Sequence, residues 1–140
     1  MKKHLFLLGC AIGLTLVPVK AEEKEHTELG KQMESVSDAF KAFRKETDPV
    51  KGAALARDAQ QGVLKATMEV PVVIKEMPEG PEKVKASVEY RKRMGKLFVS
   101  LCEVEEAFIN GKLDDVAKLV NDLKEQKKSG HEKFVKEDEN

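Results

Sequence analysis

Five apolar residues near the start of the chain, Leu29, Met33, Val36, Phe40 and Phe43, recur in steps of four, three, four and three. That is the rhythm of a helix packed along a bundle seam; a strand, whose faces alternate at every residue, cannot use it. Three further stretches carry helical spacing. From about Pro49 to about Thr67, Val50, Ala53, Ala54, Ala56, Ala59, Val63, Leu64 and Ala66 form a face of small residues. From Pro81 to about Ile109 the stripe is Val84, Val88, Met94, Leu97, Leu101, Val104 and Phe108, with Tyr90 beside it. From Leu113 to Phe134 it is Leu113, Val116, Val120 and Leu123, then Gly130, His131 and Phe134.

Local chemistry punctuates these stretches. Thr27 can cap the first helix, which is expected to stop near Thr47. Asp48-Pro49 starts the second, an N-cap followed by the residue best tolerated in a first turn. Asn110-Gly111 ends the third, with glycine supplying a left-handed cap. Residues 68–81 hold Pro71, Pro78 and Pro81, which rule out a continuous helix there. Val70 to Ile74 is too short and too proline-flanked for a sheet strand, and reads as a crossing connection that covers one end of the core. No strand pairing is evident. The expected fold is all-α, an antiparallel up-down-up-down four-helix bundle.

The first 21 residues stand outside that pattern. Lys2 and Lys3 precede an apolar run from Leu5 to Val17, and Val19-Lys20-Ala21 places small residues at −3 and −1 of a cleavage site. This reads as a secretory signal peptide over residues 1–21, too short to span a bilayer, followed by one domain over residues 22–140. The expected location is the periplasm. Removing Lys2, Lys3 and Lys20 leaves 22 basic and 25 acidic residues, a net charge of −3. That balance gives no nucleic-acid footprint and no basic membrane-binding face. Neither nucleic acid nor membrane insertion of the mature chain is expected, and the domain is expected to be monomeric. Cys102 alone survives cleavage, so no internal disulfide can form and stability must come from packing.

In a bundle of this topology the last helix runs antiparallel to the first and lies beside it. Met33 is a turn or two inside the start of the first helix, and His131 a turn or two inside the end of the last. The two therefore share a level, both pointing inward. A thioether and an imidazole so placed can hold a haem iron from its two faces, an arrangement suited to electron transfer because neither axial position is left for oxygen. Each residue also has a plainer use. Methionine fills irregular gaps in cores, and a histidine near a helix C-terminus is favoured by the dipole.

Several segments resemble the cytochrome b562 family: MESVSDAFKAF at residues 33–43, VKGAALARDAQQGVLKAT at 50–67, NGKLDDVAKLVNDLKEQ at 110–126 and QKKSGHEKF at 126–134. The resemblance implies one non-covalent haem, held by a methionine early in the first helix and a histidine late in the last; those positions carry over to Met33 and His131. It also places Tyr90 and Met94 about where the family has pocket aromatics. Leu29, Val36, Phe40 and Phe134 would line the ring, and would serve equally in a haemless core. Lys127, on the inner face four residues before His131, would pair with a haem propionate or else extend into water. The last helix also resembles that of cytochrome c′, where a CxxCH run attaches haem through thioethers. Here Lys127 and Gly130 occupy the two cysteine positions, so the implied cofactor is haem b.

Other chemistry finds little support. Glu23-x-x-His26 is one Glu-x-x-His, whereas a di-iron bundle needs two on facing helices. No Cys/His cluster has zinc spacing, and there is no nucleophile elbow or phosphate-cradling glycine loop. The sequence points to an exported one-electron carrier with unidentified redox proteins as partners, and not to an enzyme. A haemless envelope bundle acting as a binding or chaperone-like module is the alternative, and a copper or haem scavenger with an open coordination site is a third.

Overall fold

The computed structural model describes residues 27–135. Four long helices, α1 (Glu28–Phe43), α2 (Pro49–Thr67), α4 (Pro81–Ile109) and α5 (Leu113–Phe134), make the bundle, with a one-turn helix α3 (Val72–Lys75) in the connection between α2 and α4. The proposed leader and Glu23-x-x-His26 lie outside the described residues.

The helix ends follow the local chemistry. Thr27 Oγ1 accepts the Gly30 N–H at 3.1 Å and Asp48 Oδ1 accepts that of Lys51 at 2.9 Å. Each satisfies a first-turn donor that has no partner within its helix. Gly111, at φ 67°, takes the left-handed conformation after α4, and the Lys112 N–H closes back on the Ala107 carbonyl at 2.9 Å. One boundary differs from expectation. α1 ends at Phe43 rather than near Thr47, because the Glu46 carboxylate accepts the N–H groups of both Thr47 and Asp48, at 2.8 and 2.9 Å, and holds a turn there.

Neighbouring helices run antiparallel. Val36 on α1 faces Gly62 on α2. Gln60 on α2 donates to the Leu101 carbonyl on α4, while Tyr90, eleven residues earlier on α4, donates to Ala66 on α2. Arg93 and Ser100 of α4 meet Ser129 and Gln126 of α5. The core between them is led by the fully buried Phe43, Phe108, Ile74, Leu101, Val63 and Val104.

Small residues let α2 sit deep in the bundle. A methyl group at Gly52 would stand 2.3 Å from the Phe108 ring, and one at Gly62 would stand 2.6 Å from a Val36 methyl. Carbon atoms approach no closer than about 3.5 Å without repulsion. These glycines are points of helix contact, a use their helix-weakening character does not suggest. In the 68–81 connection, Pro71 and Ile74 are buried and cap the core, whereas Met68 is 83% exposed.

Some of the expected apolar faces are rotated. Val50 and Leu64 on α2 and Val84 and Val88 on α4 point to solvent, Val84 at 63% exposure. On α4 the buried Tyr90 and Met94 fix the rotation, and one turn before Tyr90 that rotation brings Ala86 and Ser87 inward instead of Val84 and Val88. Leu113 begins α5 half in water.

Candidate haem site

α1 packs on α2, α2 on α4 and α4 on α5, but no Cα of α1 comes within 8 Å of a Cα of α5. Close-packed helices have axes about 8–10 Å apart and bring many Cα pairs nearer than this. The expected first-to-last helix contact is therefore wider than the other three, and the bundle is open along one seam.

Among the described residues, one side-chain hydrogen bond spans the seam: Lys127 Nζ on α5 donates to Ser37 Oγ on α1 at 3.4 Å. That pair sets the register. Met33 lies one turn back along α1 from Ser37, and His131 lies one turn onward along α5 from Lys127. Because the helices are antiparallel, both steps run in the same direction, and Met33 and His131 come to one level across the seam.

His131 is partly buried, and neither of its ring nitrogens has a hydrogen-bond partner among the described residues. Burial, and then the nearby Lys127 charge, hold its pKa below the usual histidine value of 6.5. The ring is thus kept neutral at pH 7, the form that coordinates a metal. Met33 is also partly buried, packed against the edge of the core.

The other expected site residues sort by position. Leu29 and Phe134 pack against the core at its margin, while Val36 and Met94 are buried within it, Val36 engaged with α2 at Gly62. Tyr90 is buried and ties three helices together. Its hydroxyl donates to the Ala66 carbonyl of α2 at 2.7 Å, and its ring meets Phe134 of α5 edge to face at 5.5 Å. Burial, with a contribution from Glu69, pushes the phenol up to about 12, so it stays a donor at any ordinary pH. Lys127 is exposed and lies over the seam.

Three features of this end were not visible in the sequence. Ser37 reads as an ordinary surface residue until the partner helix is in place. Glu89 on α4 binds both Arg93, at 3.1 Å, and Lys133 of α5, at 2.7 Å. Arg93 also donates from Nη1 to Ser129 of α5 at 2.7 Å. Together these stitch the last two turns of α5 to α4. The i, i+4 spacing of Glu89 with Arg93, and of Ser129 with Lys133, was the one available signal.

Two surface concavities lie elsewhere. One of about 420 Å³ runs between α1 and α2 and is lined by Gln32, Asp38, Asp58, Gln61 and Lys65 among others; one of about 180 Å³ lies beside Met68, Ile74 and Arg91. Neither includes Met33 or His131. The polar walls of the larger suit water better than an apolar ring.

The bundle is open along the α1–α5 seam, where the Lys127–Ser37 contact sets the register and His131 has no hydrogen-bond partner among the described residues. The chain belongs to the cytochrome b562 family: the family model for cytochrome b562 matches residues 28–135, which is nearly all of the described chain. It is accordingly a haem-binding b-type cytochrome of a family of electron carriers. No curated protein matches the chain. Among the described residues no helix is long and apolar enough to cross a membrane.

Proposed function

We propose that this protein is a periplasmic one-electron carrier holding one non-covalent haem b through Met33 and His131, and that it performs no enzymatic step of its own. The observation that supports it is the Lys127–Ser37 contact, whose register favours a thioether level with an imidazole; that imidazole has no hydrogen-bond partner among the described residues. When bound, the haem supplies a ferric/ferrous couple.

The chain's own residues do the rest. A neutral His131 offers one ring nitrogen to the metal, and its lowered pKa keeps the competing proton off at pH 7. The Met33 sulfur is a soft donor that would favour the reduced state and raise the potential. Held by both Met33 and His131, the iron would offer oxygen no site to occupy. Leu29, Met94 and Phe134 would exclude water from the bound group, and the edge-to-face contact with Tyr90 at 5.5 Å holds Phe134 in place. Lys127, the exposed cation on the seam, would neutralise a propionate. The signal-like residues 1–21 support export, and the partners are other redox proteins that meet the monomer transiently.

The test is an absorbance spectrum of the exported, purified protein, oxidised and then reduced, with haemin added if it emerges colourless. Sharp visible bands on reduction that vanish in His131→Ala are expected. A correctly folded protein that never takes up haem contradicts the reading.

A further inference from the structure

We infer that the outer face of α4 is a self-association surface, on which a second copy of this chain packs helix against helix in antiparallel orientation. The inference is independent of the haem reading. This face is turned away from the α1–α5 seam, and pairing leaves Met33 and His131 uncovered.

The large hydrophobic residues left exposed among the described residues are not scattered. They fall on α2, on α4 and on the segment between them, with Leu113 at the start of α5 the exception, and none is on α1. On α4 they share a line. Val84, Val88, Val99 and Ile109 belong to a stripe whose positions, 84, 88, 91, 95, 99, 102, 106 and 109, recur in steps of four, three, four, four, three, four and three. That is the spacing of one helix face, and it points away from the buried Tyr90, Met94, Leu101 and Phe108. Val99 is 55% exposed and Ile109 64%. On α2, Leu64 and Met68 stand in phase with Arg57, which reaches across to Glu105 of α4, so they border the stripe. A single surface valine needs no explanation; a stripe along the whole of a 29-residue helix does.

Charge identifies the occupant as a second copy. Of the ionised side chains on α4, Glu82, Lys83, Lys85, Glu89, Arg93 and Glu105 are paired within the chain. The others make no ion pair among the described residues, and they divide by sign along the helix: Arg91, Lys92 and Lys96 come first, Glu103 and Glu106 after. Antiparallel pairing of two such helices sets each cationic stretch against the other's acidic stretch, whereas parallel pairing sets like against like.

A two-fold axis between Phe98 and Val99 satisfies the apolar and the charged residues in one register. Val88 then meets the partner's Ile109, Arg91 the partner's Glu106, and Gly95 the partner's Cys102. Lys92 and Lys96 bracket the partner's Glu103. At Gly95 even an added methyl would meet nothing within 4 Å in the single chain, so the surface there is open to a neighbouring helix. Four apolar residues on each α4 make a small contact, so the pair exchanges with the monomer and does not replace it.

The test is sedimentation of the exported, purified protein from dilute to concentrated solution at low salt, where a monomer–dimer equilibrium is expected. Val99→Glu, which sets two carboxylates beside the axis, is expected to weaken pairing by at least about tenfold. Arg91→Glu alone and Glu106→Arg alone are each expected to weaken it about tenfold, and the two together to return it to within about twofold of the parent, because the swap only exchanges the ends of each bridge. All three positions are exposed, and helical circular dichroism checks that the fold is kept. Gly95→Cys reads the register. With oxidised glutathione it is expected to give a disulfide-linked dimer through Cys102; two thiols lose two electrons and two protons, and the glutathione disulfide takes them up as two thiols. Within one chain positions 95 and 102 lie two turns apart, about 10 Å, beyond the reach of a disulfide. Cys102 and its own copy are as far apart along the pair, so the parent should not cross-link. Ser35→Cys, exposed on α1, should not cross-link either. A chain that stays monomeric at every concentration, a double charge swap no better than the single ones, or cross-linking no faster for Gly95→Cys than for Ser35→Cys would overturn the proposal.

Discussion

Gly52→Ala sets two effects of opposite sign against each other. In an isolated helix, alanine at this position would be the better residue by about 1 kcal/mol, because glycine loses more backbone freedom on folding. In this bundle the added methyl would stand 2.3 Å from two carbons of the Phe108 ring and 2.6 Å from a third. Relief requires a displacement of more than an ångström, and Phe108 is fully buried, so the ring has no open space into which to move. Overpacking of this kind costs about 1–3 kcal/mol, and overlap with three ring atoms lies at the upper end of that range. The net expectation is a destabilisation of about 1–2 kcal/mol, or roughly 4 °C in midpoint per kcal/mol for a domain of this size. Gly95 is the internal control. It lies in α4, where an added methyl would have nothing within 4 Å, so Gly95→Ala should gain the propensity term alone, about 1 kcal/mol. Urea unfolding followed by helical circular dichroism measures both. Gly52→Ala matching or exceeding the parent's stability would refute the claim that close approach of α2 to Phe108 holds this end together.

Other outcomes follow from single contacts. Tyr90→Phe keeps the ring against Phe134 but removes the donor to the Ala66 carbonyl, and should cost about 1 kcal/mol in the same assay; no loss would mean that the hydroxyl does not tie α4 to α2. Glu89 is held below its ordinary carboxylate value of 4.5 by its hydrogen bond to Lys133 and then that to Arg93. Its stabilising effect should therefore be full above about pH 5 and fade as pH falls through the depressed folded value, so the stability gap between parent and Glu89→Gln should close in acid, which unfolding series at several pH values would show. Gly130→Ala, where a methyl meets nothing within 4 Å, should stabilise α5 beside His131 by up to about 1 kcal/mol without altering the haem spectrum.

The helices and most of their ends, though not the end of α1, were legible because their causes are local. Thr27, Asp48-Pro49 and Gly111 act within a turn of where they stand, so the sequence carries them whole. The rotation of α4 was less legible. Val84 and Val88 share a stripe on a helical wheel, but Tyr90 and Met94 decide which way the helix faces, and that decision depends on α2 and α5. The roles of Gly52 and Gly62 were hidden for the same reason, since a glycine's contact is defined by a neighbour far away in sequence. At the site, topology alone predicts a shared level for Met33 and His131, and the Lys127–Ser37 contact agrees with it. The width of the α1–α5 seam does not follow from topology, because periodicity shows that a face is apolar but not how far away its partner stands. The Lys127–Ser37 contact links residues 90 apart in the chain, and no spacing rule connects them.

The most direct measurement of the central claim is the reduction potential and visible spectrum of Met33→Ala beside the parent, both loaded with haem, with carbon monoxide added to the reduced forms. With Met33 as the sixth ligand, the substitution should lower the potential, change the spectrum from that of a six-coordinate haem and open the iron to carbon monoxide, which the parent excludes. An unchanged spectrum and potential, with carbon monoxide bound equally by both proteins or by neither, would contradict the assignment of Met33 and His131 as the axial pair.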